Sequence, residues 1–166
     1  MYTLKAMLQK LVNTIRRNHA LEHATVSIMI NRLGPTLRLV GRASPNGFYI
    51  YGNVPTDVLE RSAAEGLARL QQGEAGLAVT PLCGTNIAVA GILAGGLSVA
   101  SMGRDRRLNR LPNVFAAAML GVVAAQPLGR LVQKYITTRP DLGETRILGV
   151  KRTLGGRVHK VLTGPH

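Results

Sequence analysis

The chain has 166 residues, long enough for one domain with its own core. Its 21 Lys and Arg against 8 Asp and Glu give a formal net charge of +13, which calls for an anionic neighbour, either nucleic acid or an anionic lipid surface. Two Phe, four Tyr and no Trp leave few stacking platforms, and no zinc-finger spacing or basic-region heptad appears, so a basic membrane protein is the better reading and nucleic acid the weaker one.

Residues 3–33 carry a helical period. Leu4, Leu8, Leu11, Ile15, Val26, Ile30 and Leu33 share one face, and Gly34-Pro35 stops the helix. The first residues scatter charge through apolar positions and do not read as a secretory leader. Within this helix His19-Ala20-Leu21-Glu22-His23 spell H-x-x-E-H. With Leu4 at zero on a helical wheel, Glu22 falls at about 0°, His19 at about 60° and His23 at about 100°. All three therefore interrupt the apolar stripe and are expected to be buried. A buried carboxylate must be protonated, paired or metal-bound, because isolating it from water costs several kcal/mol. Two histidines four residues apart on a helix can share one metal ion, and the glutamate between them can act as general base on a metal-bound water. A buried hydrogen-bond network would satisfy the same three groups.

Residues 37–41 read as a strand, Ser44-Pro45-Asn46-Gly47 as a turn and residues 48–51 as the strand after it. Pro55-Thr56-Asp57 opens a second helix that runs to Gln72, with Thr56 as its N-cap and Gly73 past its end. Residues 76–80 are expected to form one more strand.

Charge is absent over residues 75–103 and again over 111–129, each long enough for a helix to cross a hydrocarbon core. Between them lies the basic loop Arg104-Asp105-Arg106-Arg107-Leu108-Asn109-Arg110. This predicts a transmembrane helical hairpin; the alternative is a buried hairpin in a soluble core. Gly91 and Gly95, flanked by Ala90 and Ala94, form a G-x-x-x-G pair, and Gly121 with Ala125 forms a second small pair. Such spacing lets helices approach closely, within the hairpin or between chains. Pro127 would kink or end the second span. Residues 145–151 and 157–163 then read as two strands, joined through Leu154-Gly155-Gly156 and returning to the N-terminal sheet. The expected fold class is α+β: a small water-facing domain of two helices on an antiparallel sheet, with the hairpin inserted. The segments are 1–80, 81–135 and 136–166.

Two imidazoles do not complete a zinc site, which needs a third protein ligand when catalytic. Cys83, at the start of the first apolar span, is a candidate, and its bland role is that of a small buried hydrophobe. Glu60 lies near the apolar stripe of the second helix and is another candidate. Glu65 lies opposite that stripe and is expected to face solvent. His159, on a C-terminal strand, stays open. Cys83 is the lone cysteine, which excludes an intrachain disulfide and fits a reducing compartment.

The H-x-x-E-H stretch resembles that of the inverted-motif zinc metallopeptidases. That resemblance implies zinc held by His19 and His23, Glu22 as the catalytic base, and Glu60 as the third ligand. The chain is far shorter than those enzymes. A broader resemblance covers Asn18-His19-Ala20-Leu21-Glu22-His23-Ala24-Thr25, Ser44-Pro45-Asn46-Gly47-Phe48, Gly73-Glu74-Ala75 and Cys83-Gly84-Thr85-Asn86. These look like an uncharacterised family of small bacterial membrane proteins with a C-terminal hydrophobic hairpin, which implies no activity.

The favoured function is an accessory or assembly subunit in the membrane, bound to anionic lipid and to copies of itself or a partner membrane protein. The alternatives are a membrane-anchored zinc-dependent hydrolase and a nucleic-acid-binding basic protein. No nucleotide loop, nucleophile elbow or dinucleotide fingerprint appears. The hairpin loop holds four Arg and the rest of the chain the other 17 Lys and Arg; both termini are expected on the cytoplasmic side.

Overall fold

A computed structural model describes residues 2–103 and 108–165. The basic loop residues 104–107 lie outside the described residues. The chain divides into two units, one formed by Met1–Thr80 with Thr137–His166, the other by Pro81–Ile136.

The first unit is α+β. Helix α1 is Tyr2–Leu33, strands β1 and β2 are Val40–Ser44 and Gly47–Tyr51, and helix α2 is Thr56–Gln71. Strands β3 (Arg146–Thr153) and β4 (Val158–Gly164) complete a sheet of order β1-β2-β4-β3, antiparallel throughout. The late strands do return: β4 pairs with β2, with Ile50 opposite His159. One face of the sheet carries Phe48, Ile50 and Val161 into a core shared with Ala20, Leu21, Ala24 and Met29 of α1 and Leu59, Ala63 and Leu70 of α2. Helices α1 and α2 approach closely at Gly66, where a Cβ would sit 3.1 Å from that of Ala24. Gly34 ends α1 in a left-handed conformation (φ 93°) and returns its N–H to the Ile30 carbonyl.

Several local expectations are corrected. Strand β1 begins at Val40, not at residue 37, because β2 ends at Tyr51 opposite Val40 and leaves residues 37–39 nothing to pair with. Residues 76–80 are not a strand. Ala75–Ala78 is a 3-10 turn, closed by Leu77 N–H to the Glu74 carbonyl. The N-cap of α2 is Pro55, with no side-chain cap, and Thr56 instead engages His159. Leu4, Leu8, Leu11 and Leu33 are exposed, so the apolar stripe of α1 is buried only between its two ends.

The second unit holds α3 (Gly84–Met102) and α4 (Leu111–Val132), the latter extended by a π turn at Gln133–Thr137. Both are long and apolar enough to cross a membrane. Only 6% of the most apolar window of α3 and 17% of that of α4 is buried, unlike the core helix of a soluble protein. They approach closely at Gly121, where a Cβ would lie 2.7 Å from the Ala94 backbone. Gly91 and Gly95 have open space instead, so the G-x-x-x-G pair does not pack the hairpin. Gln133 Nε2 donates to Asn86 Oδ1 at 2.8 Å, and Asn86 Nδ2 to the Pro81 carbonyl at 2.9 Å.

Candidate functional site: a histidine pair on the first helix

The middle of α1 is tied down on several sides. Asn18 is fully buried; its Nδ2 donates to the Ser44 carbonyl at 2.8 Å, and its Oδ1 accepts from Thr163 Oγ1 at 2.8 Å. These two bonds fix α1 against the β1–β2 turn and β4. On another side the returning chain lies along α1. Arg16 donates to the Thr138 carbonyl, Arg139 N–H to the Arg16 carbonyl, and Arg17 Nε to the Asp141 carbonyl at 2.7 Å. Asp141 is held below the usual carboxylate range, first by its hydrogen bond from Arg17.

His19 and His23 sit within this frame. His19 is half-buried and His23 buried. Their rings meet edge to face with centroids 4.3 Å apart, and a ligand nitrogen of each lies within 4.8 Å of the other's. One ion bonded to both nitrogens at about 2.0–2.1 Å each needs them about 3.4 Å apart in tetrahedral geometry, which falls inside that limit. Nδ1 of His19 is 3.0 Å from the Thr137 carbonyl, and Nδ1 of His23 is 2.7 Å from the Ala78 carbonyl. A carbonyl oxygen only accepts, so Nδ1 donates in both. In the neutral rings the lone pair therefore lies on Nε2, the tautomer a metal ion needs. The pair can hold a metal ion by this chemistry. Thr137 Oγ1, on the residue whose carbonyl orients His19, is buried with no hydrogen-bond partner among the described residues.

Glu22 lies one turn from His19 on the same face, with Oε2 3.9 Å from His19 Nε2. It is buried. Loss of hydration pushes its carboxyl up to about 7, and the neighbouring His19 opposes this. Its space is provided by β1: a Cβ on Gly41 would overlap the Glu22 carboxylate. The three groups of H-x-x-E-H are thus gathered on the inward side of α1.

The other candidates are not all brought there. Glu60 is exposed on α2, and its carboxylate is not among the donors that cluster with the imidazole pair. Glu65, expected to face solvent, is half-buried and pairs with Arg32 and Arg69. His159 is buried on β4 with Nε2 3.0 Å from Thr56 Oγ1, and does not join the pair. Cys83 belongs to the second unit, where it caps α3 by accepting from Thr85 N–H. Sequence reasoning missed Gly41, which read only as the end of a strand, and the carbonyls of Ala78 and Thr137. A main-chain acceptor leaves no residue-type signal.

No solved structure matches this chain. An uncharacterized protein of Picosynechococcus sp. strain PCC 7002 is 36% identical over 134 residues, which cover 75% of this chain and 65% of that protein. A family model matches residues 14–150, a stretch that takes in the histidine pair, the sheet strands through Val150 and both apolar helices. The chain belongs to the family described as Domain of unknown function (DUF6391).

Proposed function

We propose that the protein is a small membrane-anchored accessory subunit that holds one transition-metal ion between His19 and His23. The observation that supports this most is the shared anchoring of the two rings. Each gives its Nδ1–H to a main-chain carbonyl, and such outer bonds fix ring orientation and tautomer in metal-binding histidines. Imidazole donors favour zinc over magnesium or calcium. Exposed Glu60 is left out. Membrane anchoring is supported by the length, apolarity and exposure of α3 and α4. The open space beside Gly91 and Gly95 supports a face for a helix of another chain, a second copy or a partner.

A second reading, a zinc-dependent hydrolase, draws on Glu22. Its carboxyl lies beside His19 Nε2 and is pushed to about 7, where a general base works at neutral pH.

The test is elemental analysis of full-length protein purified in detergent without chelator. About one zinc per chain is expected, lost in His19→Gln and His23→Gln and retained in Glu22→Gln. A hydrolytic activity abolished by Glu22→Gln with zinc retained would move the reading to the enzyme. Metal-free protein whose unfolding temperature ignores EDTA would end both.

A further inference from the structure

The face of the sheet opposite the core carries a cationic row beside an apolar one. Strand register lines up one residue from each strand in a single row: Arg42 on β1, Tyr49 on β2, Lys160 on β4 and Lys151 on β3. Directly paired residues share a face, so this row is three cations around one ring. The adjacent row is Val40, Tyr51, Val158 and Thr153, largely apolar. Tyr49 and Tyr51 stack with centroids 6.1 Å apart.

Among the described residues these cations have no counter-charge. None of the four strands carries Asp or Glu. Lys160 Nζ lies 3.9 Å from the Tyr49 ring centroid and donates to Ser44 Oγ and Asn46 Oδ1, all neutral partners. None of the ion pairs among the described residues involves Arg42, Lys151 or Lys160. A groove of about 680 Å³ runs beside this row, lined by Ile15, Arg42, Ser44, Asn46, Tyr49 and Tyr51 among others.

We propose that this open sheet face binds the headgroups of anionic phospholipids. Exposed Arg42 and Lys151 meet the phosphates on either side of Lys160, which is buried, and Tyr51, Val40 and Val158 meet the boundary between headgroups and acyl chains. Two features favour lipid over single-stranded RNA. Lys160 already occupies one face of Tyr49, which removes a stacking platform for a base. The neighbouring apolar row suits an interface that is wet on one side and oily on the other. The inference rests on membrane anchoring, which brings the anionic surface to the sheet.

The experiment uses the full chain, delipidated in detergent and titrated with phosphatidylglycerol or phosphatidylcholine, with bound lipid counted by native mass spectrometry. Arg42 and Lys151 are exposed, so Arg42→Gln with Lys151→Gln should leave the fold intact. Each removed charge should cost about five-fold, and the pair about 25-fold, in phosphatidylglycerol affinity, with phosphatidylcholine unaffected. The charge-matched control Arg61→Gln with Arg69→Gln on α2 should keep the preference. Equal losses in both double variants, or none in the sheet variant, would overturn the inference. So would a wild type that stays in the membrane fraction yet binds both lipids alike, which leaves the anchoring intact. Recovery of the protein without detergent would remove both. Binding of oligouridine that the sheet variant loses, without any lipid preference, would assign the face to RNA instead.

Discussion

Glu22 and Gly41 share one space: the carboxylate on α1 fills the position into which a side chain on β1 would project. The strand gives up a side chain so that an acid can be buried beside His19. Isolating a carboxyl this way raises its pKa and makes it sensitive to any cation placed nearby.

Gly41→Ala should therefore destabilise the protein by about 1–3 kcal/mol, because the added methyl has to displace the acid or the strand. Adding Glu22→Ala should recover much of that loss, since the acid is what the methyl strikes. Thermal unfolding of the two single variants and the double variant closes the cycle. Additive losses would mean that the two residues do not meet.

The Ala78 carbonyl needs the His23 proton. His23→Ala should cost about 2–4 kcal/mol, from the cavity and the unsatisfied acceptor together. His23→Asn places an amide N–H close to where Nδ1 was and should recover about half of that, while still removing a metal ligand. Unfolding and zinc content measured on the same samples separate the two duties of this ring. An Asn variant as unstable as the Ala variant would deny the carbonyl bond its structural role.

The acid limb of stability should carry a contribution from His159. It is buried on β4 with Nδ1 unpartnered among the described residues. Burial lowers its pKa, and Arg152 across the ladder adds to this. At high pH the ring is neutral whether folded or unfolded. As pH falls below about 6.5 the unfolded chain takes up a proton that the folded protein resists, so stability falls until the folded pKa is passed. The slope for one group is at most about 1.4 kcal/mol per pH unit. The raised pKa of Glu22 works in the opposite direction, with stability lost as pH rises towards 7, and it is common to wild type and variant. The difference between wild type and His159→Gln in urea unfolding between pH 7 and 5 should isolate the histidine. Parallel curves would rule out its titration.

The α+β class was legible because turn and breaker residues punctuate the chain: Gly34-Pro35, the Ser44–Gly47 turn and the glycines at 155 and 156 each end an element where the sequence places them. The inward aim of His19, Glu22 and His23 followed from helical period alone. What the period could not supply was how far along α1 the core extends. Leu8 and Val26 have the same wheel position, yet one is exposed and the other buried, since burial depends on what lies opposite. Small-residue spacing was similarly blind to direction. Gly91 and Gly121 both fit a close-packing pattern, but only Gly121 faces a neighbouring backbone.

That last contrast gives a direct test on the second unit. Gly121→Val should disrupt the pairing of α3 with α4, because the new side chain runs into the main chain at Leu93 and Ala94, which cannot move aside as a side-chain tip can. Gly91→Val meets open space and should leave the unfolding temperature of the full chain in detergent nearly unchanged. It should instead weaken any assembly through that face, seen as a shift to smaller species by light scattering of the protein–detergent complex. Equal destabilisation by both variants would place Gly91 inside the hairpin contact. Loss of folding with Gly121→Val but unchanged assembly with Gly91→Val would leave the hairpin standing and remove the outward glycine face as a contact surface.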